Sequence, residues 1–185
     1  YSCHKVHQKY TEEDWDLTTT DPVTFWVGGE TVDLGNGNLC INCHQARVPN
    51  PALPPVGEMA TYTLTNKRYG PHHGSQGVVF TGSSAYEIGD GYQNSVHTTL
   101  VENSSITSHM ATVMGANDAG GHTFRVVSEE GDLNTAGCVQ CHMDTDELEN
   151  MYAATQDDIA MLLDSLGNKM KDLGLLDDAL EYAVV

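Results

Sequence analysis

The sequence predicts a mainly irregular and α-helical fold with little β-structure, gathered around a large rigid group that is not side chain and finished by C-terminal helices. Three observations lead there. Eighteen glycines, most of them between residues 28 and 132 among Ser, Thr and Asn, interrupt regular elements and favour loops. Three Phe and two Trp in 185 residues are a thin stock for a core, so something else is expected to fill the interior. Sustained helical periodicity is confined to the end of the chain.

Along the chain, Thr24-Phe25-Trp26-Val27, Gly28-Gly29 and Glu30-Thr31-Val32-Asp33-Leu34 read as a short β-hairpin. Pro49 to Pro55 reads as an extended surface connection. The best helix is expected to begin near Thr155, where Thr-x-x-Asp resembles a capping box. It carries Ile159, Leu162, Leu163, Leu166, Met170 and Leu173 on one face and ends at Gly174. That face is expected to pack on the preceding domain. A second short helix is expected from Leu176 towards Val185, with Asp177 and Asp178 near its positive end. The expected organisation is one domain over residues 1–150 and a helical segment over 151–185 packed on it.

The chemistry lies in the cysteines. Cys40-Ile41-Asn42-Cys43-His44 and Cys138-Val139-Gln140-Cys141-His142 are both C-x-x-C-H, the attachment sequence of c-type haem. Two thiols one short turn apart can each form a thioether to a haem vinyl group, and the next residue's imidazole is held beneath the iron. Two C-x-x-C pairs could instead supply four thiolates to a zinc ion, but that ignores the histidines. With 9 His in 185 residues, finding one directly after both pairs and again after Cys3 has a chance of roughly one in ten thousand.

Cys3-His4 gives a third site, because a cysteine before Tyr1 would complete the motif; a single thioether through Cys3 and a free thiol are the alternatives. On that reading the chain continues upstream, and the apolar ending Ala183-Val184-Val185 carries the same expectation downstream. A fourth copy is seen in Ser105-Ile106-Thr107-Ser108-His109-Met110, which aligns with residues 138–143 when each cysteine is read as serine. Serine forms no thioether, so this degenerate site would hold a haem by axial ligation and packing alone; a misread residue pair or an ordinary polar loop are the alternatives. The cofactor count is thus two to four haem c groups.

With His4, His44, His109 and His142 as proximal iron ligands, His7, His72, His73, His97 and His122 remain as distal candidates. Met110 and Met143 sit too close to their proximal histidines to reach the opposite haem face, so bis-histidine ligation is expected. Neighbouring residues in an extended or turn segment point apart, so only one of His72 and His73 is expected to bind iron. Gly120-Gly121 before His122 would let the backbone approach a porphyrin face.

These residues together resemble the large extracytoplasmic multihaem c-type cytochromes, in which C-x-x-C-H sites are interleaved with segments like Arg68-Tyr69-Gly70-Pro71-His72-His73-Gly74 and Gly120-Gly121-His122-Thr123-Phe124. The resemblance spans roughly residues 1 to 180. It implies a multihaem cytochrome fold, distal histidines from those segments, and redox work as an electron conduit, a donor to reductases, or a catalytic subunit such as an ammonia-forming nitrite reductase. The chain departs from the pattern before Tyr1 and at Ser105 and Ser108.

The expected function is electron transfer through closely packed bis-His haems, with no catalytic residue, since filled axial positions leave no open site. Two alternatives stand beside it. One is a fragment or subunit of a multihaem reductase of small nitrogen or sulfur oxyanions. The other is a subunit of a haem-bridged polymer, in which His7 or a histidine of the 72/73 pair ligates a haem of the next identical subunit. A net charge of −18 disfavours nucleic acid and anionic membrane surfaces and favours redox proteins or cytochromes with basic docking surfaces. No run of 18 apolar residues is present, so no membrane span is expected in this chain. Covalent haem implies export, to the periplasm, the cell surface or the extracellular space.

Overall fold

A computed structural model describes residues 2–52, 54–55, 57–61, 63, 70, 74–83, 90–113 and 119–176. The candidate ligands His72 and His73, and the helix expected after Leu176, lie outside the described residues.

The chain opens by folding back on itself. Thr18 N–H donates to Cys3 O (2.9 Å) and Lys5 N–H to Asp16 O (3.0 Å), tying residues 3–5 to 16–18. The 3₁₀ turn Glu12–Trp15 lies between them. Its buried Asp14 accepts backbone N–H groups from Gln8 (3.2 Å), Lys9 (2.9 Å) and Tyr10 (3.0 Å). This concave run of amides is an anion-binding nest closed by the chain's own carboxylate.

The expected hairpin is present but shorter. Strands β1 (Val23–Thr24) and β2 (Thr31–Val32) pair antiparallel, Val23 opposite Val32 and Thr24 opposite Thr31. Phe25 N–H to Glu30 O (2.8 Å) closes the loop, and Gly28 and Gly29 take the left-handed φ of 85° and 73° that the reversal needs. Phe25 is 2 % exposed and packs in one cluster with Val23, Ile41, Ala46 and Val78. The hairpin therefore lies against the Cys40 motif.

That motif begins in helix α1 (Asn38–Ile41), which packs on helix α2 (Gln76–Thr81). Gly77 makes the approach close: its N–H donates to His44 O (2.7 Å), and a Cβ there would stand 2.9 Å from Ile41 Cγ2. Helices α3 (His97–Leu100) and α4 (Ser105–His109) follow, α3 against α2. A 3₁₀ turn, Gly121–Thr123, carries His122, and another, Thr135–Gly137, leads into Cys138. No regular element forms on the described part of the 49–55 connection.

Helix α5 (Thr145–Asp172), about 42 Å long, corrects the expected helix start. It starts ten residues before Thr155. Asp144 is its cap, accepting from Glu147 N–H (3.0 Å), and Thr155 instead turns its hydroxyl back to Met151 O (2.8 Å) as a mid-helix residue. Asp146 and Glu147 near the start and Lys169 and Lys171 near the end complement the helix dipole. The stop falls at Gly174, as expected. Its N–H reaches Lys171 O and that of Leu175 reaches Met170 O, both 2.8 Å, the paired bonds of a Schellman motif. Contrary to expectation, the apolar face is uncovered: Ile159, Leu162, Leu163 and Leu166 are all more than half exposed. Periodicity fixes which face is apolar but not what covers it. No helix among the described residues is long and apolar enough to cross a membrane.

Side chains alone make a small core. The accessible surface is 13770 Å², against about 8,700 Å² for an ordinary folded monomer of 20.0 kDa.

Candidate functional site

Each complete motif is a single helical turn. In the first, the N–H groups of Cys43 and His44 both donate to Cys40 O (3.2 and 2.9 Å). In the second, those of Cys141 and His142 donate to Cys138 O (3.1 and 2.9 Å). The turn brings the two thiols to one side with the histidine next to them, as i, i+3 spacing requires. Cys40 and Cys138 are half-buried, Cys3, Cys43 and Cys141 are exposed, and none is in a disulfide. Burial raises the Cys40 thiol above its ordinary value, with smaller contributions from the Cys3 and Cys43 sulfurs. Burial likewise raises Cys138.

Buried amides hold these turns in place. Asn38 Oδ1 accepts from Leu34 N–H (2.8 Å), and its Nδ2 donates to Thr20 O (2.9 Å) and Asp33 Oδ1 (2.8 Å). Gln45 Oε1 accepts from Trp26 N–H (2.8 Å) while its Nε2 donates to Asn42 O (3.0 Å), joining hairpin to motif. Ahead of Cys138, Asn134 Oδ1 accepts from Ala136 N–H (3.1 Å), and its Nδ2 donates to Thr112 O and Ala119 O, both 3.2 Å. Hydrogen-bonded side chains of this kind, fully or almost fully buried, set a turn's position in a chain with few hydrophobic contacts.

The imidazoles are oriented too. His4 Nδ1 lies 2.6 Å from Trp15 O, and His109 Nδ1 lies 2.9 Å from Phe124 O. A carbonyl only accepts, so in both rings Nδ1 is the donor; a neutral ring held this way would have Nε2 as its bare nitrogen, the one a metal ion binds. His44 Nδ1 faces Gln76 Oε1 at 3.3 Å.

Two histidine pairs result. The ring centres of His4 and His122 are 6.2 Å apart, and those of His97 and His142 are 6.0 Å apart. Two imidazoles on opposite sides of one metal ion, with Nε2 about 2.0 Å from it and about 1.15 Å from the ring centre, have centres roughly 6.3 Å apart. Ring packing in general spans about 4.5–7 Å. What singles out these pairs is their membership: each joins a histidine directly following a motif cysteine to one of the distal candidates. Interplanar angles of 40° and 66° both fit, because each ring can turn about the shared axis.

No known protein family, curated protein or solved structure matches the chain. The reading therefore rests on its own residues.

Among the described residues no three His, Cys, Asp or Glu side chains converge as a ligand set for a bare ion, so the two C-x-x-C pairs do not meet as a four-thiolate centre. The donor set is chemically suited to haem: paired thiols on single turns, each followed by an imidazole, and two histidine pairs whose ring separations are compatible with a shared iron. Exposed apolar residues stand close in sequence to the same histidines and cysteines. Val96 and Leu100 flank His97, Phe124 lies two residues from His122, Val139 is inside the second motif, and all are exposed. His7 lies in a left-handed turn (φ 61°), its ring 6.0 Å from that of Tyr10. The carbonyls of Trp15 and Phe124 had no signal in the sequence, because every residue has one. Asn38, Gln45 and Asn134 had only a weak one, as amides close to the motifs.

Proposed function

We propose that this chain carries electrons through c-type haems attached at Cys40/Cys43, Cys138/Cys141 and Cys3, each iron held between two histidines. The observation that carries this reading is the pairing of His4 with His122 and of His97 with His142 at the spacing of two ligands on one metal ion. A bound haem supplies an iron that changes between ferric and ferrous by one electron. The protein's part is to hold and orient it. The cysteines would hold the group covalently, Trp15 O sets the His4 ring, and His122 and His97 would serve as the second histidine ligands, which would leave no coordination site for a substrate. His44 then draws its partner from His7, His72 and His73.

A net charge of −18 suits a basic redox partner, and covalent haem, where attached, would imply export from the cytoplasm. Absorption and electron paramagnetic resonance spectra of the purified chain, with its intact mass under denaturing conditions, test the reading. Wholly low-spin ferric haem, reducible and reoxidisable, on a polypeptide heavier by its covalent haems supports it. A high-spin signal that responds to nitrite or hydroxylamine would make the protein a reductase, and a bare polypeptide mass would remove haem c altogether.

A further inference from the structure

Helix α4 carries Ser105-Ile106-Thr107-Ser108-His109, which has the motif's spacing without its sulfur. We infer that this turn binds an iron protoporphyrin non-covalently, as haem b, through His109. The inference rests on the electron-transfer reading for the other sites and adds a chemically different cofactor to it.

Several observations converge on it. The segment is a helical turn like those of Cys40 and Cys138, so Ser105 and Ser108 stand on one side with His109 following, where thioether sulfurs would stand in a complete site. The His109 ring is fixed by its Nδ1–H, which donates to Phe124 O (2.9 Å), so that in the neutral ring Nε2 would be the nitrogen left to bind iron. Phe124 reaches that position in a left-handed conformation (φ 58°), which a bulky residue seldom adopts unless its surroundings require it. Here the loop imposes it: Gly120 N–H donates to Arg125 O (2.8 Å) and Gly121 N–H to Ala111 O (2.9 Å), so the backbone turns sharply between these anchors.

Placement completes the case. Helix α4 packs against both the 3₁₀ turn Gly35–Gly37 ahead of Cys40 and the turn Thr135–Gly137 ahead of Cys138. The serine turn thus stands between the two complete motifs. Its orienting segment is shared, because His122, two residues before Phe124, is the partner of His4. One short loop therefore serves two sites: a side chain towards the Cys3 site and a carbonyl towards His109. Loss of the thioethers changes how the group is held and leaves its place unchanged.

The test uses the full chain, purified with its cofactors, and acidified organic solvent, which extracts only haem that is not covalently attached. The expected result is one haem released per chain, with the vinyl-bearing pyridine haemochrome spectrum of haem b, while two or three haems stay on the polypeptide. His109→Ala should abolish the released fraction and leave the retained one unchanged. As a control for folding, Ser105→Cys with Ser108→Cys, produced with the haem-attachment machinery, should convert the released haem into a further covalent one and raise the intact mass by one haem. Covalent haem with nothing released, and no gain of mass in the double-cysteine chain, overturns the inference and leaves the proposed function standing. Absence of haem from both fractions overturns the proposed function itself.

Discussion

Replacing His122 with alanine, and separately His97, tests the pairing where it is most exposed to refutation. Each ring centre lies within a few tenths of an ångström of the separation worked out above for two imidazoles on one iron, 6.2 Å for His4 with His122 and 6.0 Å for His97 with His142. If each pair shares an iron, removing one ring would leave its partner as the only axial protein ligand, which would turn a low-spin centre into a high-spin one. The pairs share no residue. His122→Ala and His97→Ala should therefore each create one high-spin haem per chain, and the double variant two. Added imidazole, occupying the emptied position, should restore the low-spin spectrum in all three. Quantitative electron paramagnetic resonance on the ferric protein, normalised to total haem, reads the number directly. If either single variant stays wholly low-spin, or if the double variant gives one high-spin haem instead of two, the rings are packed against each other and do not share a metal ion.

Phe25→Ala removes the largest side chain of the hairpin cluster from a site only 2 % exposed, so it should cost about 3–5 kcal/mol, whereas Leu162→Ala on the uncovered face of α5 should cost under about 1 kcal/mol; urea unfolding of both compares them. Four backbone N–H groups, led by that of Lys9 and followed by those of Tyr10, Gln8 and His7, hold the Asp14 carboxyl below its ordinary value of 3.8 against an opposing contribution from burial. A carboxyl lowered in the folded state stabilises it above the unfolded value and loses that contribution as pH falls through the folded one. Amide exchange in residues 8–10 should consequently accelerate below about pH 4, and Asp14→Asn should flatten that dependence. Asp144→Ala should fray the start of α5 at a cost of about 0.5–2 kcal/mol, while Thr155→Ala, which removes a mid-helix hydroxyl, should leave helicity by circular dichroism unchanged or slightly higher. Transfer to a basic partner cytochrome should slow steeply between low and physiological ionic strength, and rates insensitive to salt would remove the acidic surface from the docking argument.

Local chemistry was legible in the sequence because it depends on spacing. C-x-x-C-H forces thiols and imidazole onto one turn, Gly28-Gly29 permits the reversal between β1 and β2, and Gly174 stops α5, each through conformational preferences acting over a few residues. The start of α5 was misplaced by the same local reasoning, since Asp144 with Glu147 and Thr155 with Asp158 both have the look of a cap and only the chain beyond them chooses between the two. The pairing of His4 with His122 across 118 residues, and of His97 with His142 across 45, had no sequence signal, because nothing local records which distant loop reaches an imidazole. The carbonyls of Trp15 and Phe124 were equally hidden: a backbone oxygen becomes specific only when the fold aims it. The sequence by itself determined the single-turn geometry of each motif and the chemistry its side chains offer, since that is a property of residue type and short spacing. Tertiary structure alone decided which of them meet, because that depends on how the loops between them close.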